Sequence, residues 1–262
     1  MASRAVSFDL YDTLIQPSDL EQHEINAVQA FNQVMIEAGI ECSLEKIGQL
    51  FDHPVCRRVH DGFTLFERRI YDFSQRSGRR PNDAAVRRCG EVILEFMAPH
   101  WTLDPQAEPV LDALQRDGLS IALVTNFDHP PYVRSLIPKL GIDRYFASLV
   151  ISGEVGFDKP DPEIFHIALR QLSVSAEHAV HIGDSEADVL GAIAAGITPI
   201  QIVRSPDILD APTRGDHPTI PHSRRFLSWS ALCCISEGFC PSLRATQADP
   251  KPGLVANLAM AR

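Results

Sequence analysis

Positive charge is scarce in this chain: 24 Lys and Arg stand against 34 Asp and Glu, a formal net charge of -10. A surface of that sign repels a phosphate backbone, so nucleic-acid binding is not expected, although local donors can still capture a small anion. Long apolar runs are also missing, and none approaches the roughly 18 residues that span a bilayer. No signal-peptide pattern precedes the first strand-like segment, so a cytoplasmic protein without a membrane partner is expected. The six cysteines, Cys42, Cys56, Cys89, Cys233, Cys234 and Cys240, lack C-x-x-C spacing and an ordered set of histidines. That pattern argues for reduced thiols and against a zinc site. What is present is a globular composition, 45% hydrophobic and 22% charged over 262 residues, enough for one full core and a smaller second unit.

Short apolar, β-branched runs end in polar residues at four places: Ala5 to Phe8 before Asp9, Ser120 to Val124 before Thr125, His178 to Ile182 before Gly183-Asp184, and Thr198 to Val203. They read as buried parallel strands. Helical-length segments lie between them, at Pro109 to Asp117, Pro131 to Leu140, Pro162 to Leu172 and Ala187 to Ala195. The alternation predicts an α/β fold, a Rossmann-like doubly wound parallel sheet. The stretch from Gln16 to Pro99 breaks this rhythm with amphipathic segments at Glu24 to Ala38, Phe63 to Gln75 and Ala84 to Met97, so it reads as a helical insertion. Residues 1–15 and 100–204 are thus expected to form the core, and residues 16–99 a helical cap. After Arg204 the chain turns Pro-rich and loses periodicity, so residues 205–262 read as a loosely ordered C-terminal extension.

In open parallel sheets reactive groups gather at the carboxyl ends of the strands. Here those ends bring Asp9, Thr125 with Asn126, and Asp184, with Lys159 nearby. Each has a bland explanation alone, as a turn residue, a helix cap or a solvated charge, but four such explanations would have to coincide. The segments Phe8-Asp9-Leu10-Tyr11-Asp12-Thr13-Leu14, Val124-Thr125-Asn126, Lys159-Pro160-Asp161-Pro162 and Gly183-Asp184-Ser185-Glu186-Ala187-Asp188 together resemble the four ordered motifs of the haloacid dehalogenase superfamily. The resemblance covers about residues 5 to 204.

That resemblance implies a hydrolase with an aspartate nucleophile. Asp9 would form an aspartyl ester, splitting one hard displacement into two easier ones. Lys159 would neutralise charge beside it. Thr125 and Asn126 would bind an anionic small-molecule substrate, with Tyr11 and Thr13 close to it. Asp9, Asp184, Asp188 and the Tyr11 carbonyl would hold Mg2+, which prefers hard oxygen ligands and relieves repulsion among the carboxylates. On the inserted helices, Arg57, Arg58, Arg68 and Arg69 are candidates for gripping the anion.

Tyr11 departs from the phosphatase pattern, which has a second Asp as acid and base two residues after the nucleophile. Asp12 follows at once, but neighbours on an extended backbone point in different directions. Three activities are therefore weighed: Mg2+-dependent hydrolysis of a small phosphorylated metabolite, dehalogenation of a 2-haloacid, and non-catalytic binding of a phosphometabolite. The acidic stretch from Asp184 to Asp188 favours the first, because unneeded carboxylates beside the nucleophile would repel a haloacid.

Overall fold

Burial on both faces selects the β-branched runs as central strands. In the computed structural model, which describes residues 4–17, 20–37, 62–76, 81–97, 101–202 and 226–227, they are β1 (Ala5–Phe8), β4 (Ser120–Thr125), β6 (Ala179–Gly183) and β7 (Thr198–Ile202). These are the four expected strands, with ends shifted by a residue. Two short ones join them, β5 (Ser148–Ile151) and β8 (Phe226–Leu227). All six run parallel in the order β5-β4-β1-β6-β7-β8. The order reverses at β1, so the crevice at its carboxyl end is where a ligand site belongs.

Side chains alternate between the two faces with the period of two that a strand imposes. Val6 and Phe8 of β1, Ile121 and Leu123 of β4, and Val180 and Ile182 of β6 join one apolar cluster, while Ala5, Ala122, Val124 and Ala179 join the other. Ser7 in β1 and His181 in β6 are polar residues buried in the middle of their strands.

Helices α4 (Ala107–Arg116), α5 (Pro130–Lys139), α6 (Ser152–Val155), α7 (Pro162–Leu172) and α8 (Glu186–Ala194) connect the strands. Their starts follow local chemistry. The Asp161 side chain accepts from the Glu163 N–H, and Pro162 takes the first turn, where a missing N–H costs nothing. Ser185 and Asp188 cap α8 reciprocally, in a box that also fixes the Asp188 carboxylate.

Between β1 and β4 the chain runs through β2 (Ile15–Pro17), α1 (Leu20–Glu37), α2 (Leu65–Arg76), α3 (Asp83–Met97) and β3 (Trp101–Leu103). β2 and β3 pair antiparallel, Ile15 with Leu103 and Pro17 with Trp101, and tie the two crossings of the helical insertion together. This ribbon was not expected, since three residues carry too little pattern to register as a strand. Phe31, Met35, Phe66, Ile70, Val86 and Cys89 of the insertion join the apolar cluster on the Val6 and Phe8 face. The expected extension at 205–262 lies outside the described residues apart from β8, as do Arg57, Arg58 and all cysteines except Cys89, which is buried and free.

Candidate functional site

Asp9 leaves β1 with its N–H still bonded to the Ile182 carbonyl at 2.8 Å, so the strand ladder fixes its backbone while its side chain stands at the sheet's carboxyl edge, 6% exposed. Lys159 reaches it from the segment before α7. Its Nζ donates to Asp9 Oδ1 and to Asp188 Oδ1, each at 2.6 Å, and the residue is itself buried. Asn126 sets that lysine from the neighbouring strand end: its Oδ1 accepts from the Lys159 N–H at 2.8 Å and its Nδ2 donates to the Lys159 carbonyl at 2.9 Å. The Asn126 amide, expected to meet substrate, is thus engaged with the main chain of Lys159.

Asp188 anchors the far side. Oδ1 accepts from Lys159 and faces His181 Nε2 at 3.0 Å, while Oδ2 accepts from the Ser185 N–H at 3.1 Å and hydroxyl at 2.5 Å. Since an ionised carboxylate only accepts, Nε2 carries the His181 proton. The other ring nitrogen lies 2.9 Å from Ser7 Oγ. Gly183 makes this approach possible, because a Cβ there would sit 2.3 Å from Asp188 Cγ. Sequence reasoning passed over Ser7 and His181, although a polar residue in a fully buried strand was the available signal.

Asp184 is half-buried; Oδ1 accepts from Thr13 Oγ1 at 3.3 Å, and its carbonyl accepts from Gln201 Nε2 at 2.8 Å. The backbone between Tyr11 and Thr13 is not extended. Asp12 adopts φ 55°, a left-handed conformation rare for any residue but glycine and best tolerated by Asn and Asp. The turn closes on the Leu10 carbonyl, which accepts from Leu14 N at 2.9 Å and Ile15 N at 3.0 Å.

On the other side of Asp9 the hydroxyls have no partners. Thr125 Oγ1, fully buried, makes no hydrogen bond, and neither do the Tyr11 and Tyr132 hydroxyls. The Trp101 indole faces Tyr132 without reaching hydrogen-bond geometry. The rings themselves are well packed. Tyr11 meets Trp101 edge-on at 4.8 Å and stacks on Phe127 at 5.4 Å, and Phe127 stacks on Tyr132 at 5.0 Å. A buried hydroxyl without a partner costs roughly 1–3 kcal/mol, and of these three Tyr11 lies within electrostatic reach of Asp9.

Charge is also unbalanced. Burial pushes the Asp9 carboxyl up to about 6, with Lys159 pulling against the rise and Asp188 adding to it. Burial and the Asp188 charge raise Asp184 as well, with Asp12 contributing. Asp188 moves the opposite way: burial opposes its charge, but the His181 hydrogen bond and Lys159 hold it well below the usual range. Lys159 is likewise raised, its burial outweighed by Asp9 and Asp188. One oxygen each from Asp9, Asp184 and Asp188 lies within 4.8 Å of the others. Three hard carboxylates, two of them sharing one ammonium, fit a divalent cation such as Mg2+.

The helical insertion touches the segment that follows Asn126. Arg69 donates through Nε and Nη2 to Asp128 Oδ2 at 2.9 and 2.6 Å, Phe66 N–H donates to the Asp128 carbonyl at 3.1 Å, and Thr64 Oγ1 lies 2.9 Å from His129 Nδ1. Arg69 thus pairs with an acid of the core, and Arg68 lies over the rings of Phe63 and Tyr71.

Known proteins are similar to this chain. The glyceraldehyde 3-phosphate phosphatase of Methanopyrus kandleri is 34% identical over 208 residues, 77% of this chain and 84% of that one. Two crystal structures share the fold at 22% identity: a HAD phosphatase from Thermococcus onnurineus, TM-score 0.60 over 88% of this chain and 97% of that one, and a 2-haloacid dehalogenase from Pseudomonas syringae, TM-score 0.65 over 95% and 100%. The profile of one family matches residues 3–196. The chain belongs to the haloacid dehalogenase-like hydrolases.

Proposed function

We propose that the chain is a Mg2+-dependent phosphatase of a small phosphorylated metabolite that works through an aspartyl-phosphate at Asp9, in the cytoplasm. The observation that carries this reading is the buried Asp9–Lys159 pair set against two further carboxylates, Asp184 and Asp188. An oxyanion nucleophile needs its charge held in place until an electrophile arrives, and Lys159 does this with one N–H while a second goes to Asp188 and the third is left for a phosphoryl oxygen. Thr125 Oγ1 donates to a second phosphoryl oxygen, which supplies its missing partner. Asn126 keeps Lys159 in position, and Thr13 orients Asp184. Asp9, Asp184 and the Tyr11 carbonyl would hold the cation. Asp188, in the same cluster, acts chiefly by fixing Lys159, since Lys159, His181 and Ser185 already donate to its oxygens. Bound there, Mg2+ would supply charge neutralisation and orientation of the phosphoryl group. Residues 16–99 form a cap over a core of 1–15 and 100–204, and 205–262 are a loosely ordered C-terminal extension.

Several named relatives, including the phosphatase of M. kandleri, support phosphate esters as substrates. Dehalogenation is the second reading, favoured by the aromatic surroundings of Tyr11. The test is phosphate release from a panel of phosphate esters, with and without Mg2+, alongside halide release from short 2-haloacids. Phosphate release that needs Mg2+, falls by about 10⁴ or more in Asp9→Asn and drops in Asp184→Ala is expected. Release undiminished in a purified Asp9→Asn sample, or surviving both chelation and Asp184→Ala, would overturn it.

A further inference from the structure

We infer that His181, its tautomer set by Ser7, is a positioning residue of the reaction: it fixes one oxygen of Asp188 so that Lys159 is presented to Asp9, and keeps that oxygen from the cation. This rests on the phosphatase reading above. Ser7 of β1 and His181 of β6 are register partners, side by side on one face of the sheet. Their neighbours on that face are apolar, among them Ala5, Ala122, Val124 and Ala179, and the Phe165 ring meets the imidazole edge-on at 4.8 Å. An aliphatic side chain at 181 would suit that packing without desolvating two ring nitrogens. Packing alone therefore does not account for an imidazole that is 1% exposed. Both nitrogens are in use. Ser7 Oγ lies 2.9 Å from Nδ1 and 3.4 Å from the Val180 carbonyl, so Nδ1 is the nearer acceptor for the hydroxyl proton. With Ser7 donating there, the ring proton sits on Nε2, which donates to Asp188 Oδ1 at 3.0 Å.

The same Oδ1 accepts from Lys159 Nζ at 2.6 Å, while Oδ2 accepts from the Ser185 N–H and hydroxyl. These donors occupy the roughly four lone-pair directions of one carboxylate. Asp188 is thereby committed to the lysine, and the cation falls to Asp9 and Asp184. The hydrogen bonds run from Ser7 through His181, Asp188 and Lys159 to Asp9, and so return to the end of the strand they started from. Lys159 is in this way referred to the strand that carries the nucleophile. Ser185 pins only Oδ2. Without His181, Oδ1 would be held by Lys159 alone, the very group it has to set, and its released lone pair would be open to the cation. The ammonium would then lose its fixed direction between the carboxylates, and attack by Asp9 on phosphorus would lose its alignment.

The test compares His181→Leu, His181→Asn and His181→Gln with wild type in the full chain, by 4-nitrophenyl phosphate turnover, calorimetric titration of Mg2+ and urea unfolding. The amide nitrogen in His181→Gln reaches the place of Nε2, whereas the shorter amide in His181→Asn matches Nδ1 and stops short of Asp188. At saturating Mg2+, kcat is expected to fall about 10-fold or more in His181→Leu and His181→Asn, with KM within about threefold of wild type, and to recover in His181→Gln. The Mg2+ Kd should weaken in none of them, because a lone pair of Asp188 is released and no ligand is lost. Ser7→Ala, which removes the group that sets the tautomer, should lower kcat by only about threefold. In wild type, the imidazole 15N spectrum should place a His181 proton on Nε2. A folded His181→Leu protein with kcat within about twofold of wild type would overturn the assignment and leave the phosphatase reading standing. So would equal kcat in His181→Gln and His181→Asn, the pair that decides if His181→Leu does not fold, or a His181 ring without a proton on Nε2. Wild type that releases no phosphate from the ester panel would overturn both.

Discussion

On the Lys159 side of Asp9 the polar groups satisfy one another: Asp188 receives Lys159, His181 and Ser185, and Ser7 meets the far nitrogen of His181. On the Tyr11 side, the buried hydroxyls of Thr125, Tyr11 and Tyr132 make no hydrogen bond that meets distance and angle criteria. Both sides are buried, so solvent exposure does not explain the contrast. The difference lies in when each side is completed. The saturated half is finished on folding and holds the nucleophile's counter-charge in one geometry. The unsaturated half is left at a cost in stability and is completed only by what binds, the arrangement expected of preorganised donors.

The largest structural effect should come from opening the saturated half. Asp188→Ala removes the acceptor shared by Lys159, His181 and Ser185, and leaves two basic groups buried without it. A loss of about 3–5 kcal/mol in unfolding free energy is expected, typical of breaking a buried ion pair from one side. Gly183→Ala should act in the same direction, because the new methyl collides with the Asp188 carboxylate. Urea unfolding at neutral pH measures both. A loss under about 1 kcal/mol in Asp188→Ala would show that the network is not a structural anchor.

Next in size is the pH dependence of the charge between the halves. Burial raises the Asp9 carboxyl to about 6 from an ordinary 3.8, so the fold prefers the protonated acid. Its contribution is full below the ordinary value and is lost as pH climbs through about 6, up to roughly 3 kcal/mol over the two-unit shift. Comparing wild type with Asp9→Asn isolates that group. Without metal, the stability of wild type relative to the variant should fall as pH rises from 4 to 7. Mg2+ should reverse the fall, since the cation competes with the same proton, and its affinity should weaken progressively below pH 6. A stability difference flat across that range, unmoved by Mg2+, would contradict a carboxylate short of a cation.

How far this was legible from the sequence depended on whether neighbours in space were also neighbours in pattern. Asp9, Thr125, Lys159 and Asp184 were accessible because strand ends of a parallel sheet converge by topology, and the four apolar runs gave those ends directly. Ser7 and His181 left a weaker trace, as single polar residues in buried strands on the same face. Tyr132 and Trp101 left none. They reach Tyr11 only because a three-residue ribbon joins β2 to β3 and because Phe127 sits between two rings, and neither contact follows from spacing. The role expected of Asn126 illustrates the same limit: its residue type suited an anion, but only coordinates show its amide closed on Lys159.

The smallest expected effect is a gain, and it tests the unsaturated half directly. Tyr11→Asp places a carboxyl where the resemblance to phosphatases expects an acid and base. Glycerol 3-phosphate turnover should then rise by about 10- to 100-fold, toward the low end of what a positioned acid contributes, because the new group replaces a ring and is not held by the stack. Esters of 4-nitrophenol should gain little, since their leaving group departs without a proton. The same carboxylate can activate the water that cleaves the aspartyl-phosphate, so any accumulated intermediate should fall. Removing the ring loses contact with Trp101 and Phe127, and one more negative charge beside Asp9 raises KM, so kcat and KM are read separately and unfolding is followed alongside. A folded, Mg2+-binding Tyr11→Asp protein with no gain on glycerol 3-phosphate would mean that the missing acid is not what separates this chain from phosphatases of alkyl esters. The limit would then be sought in the helical insertion, where Arg69 is tied to Asp128 of the core.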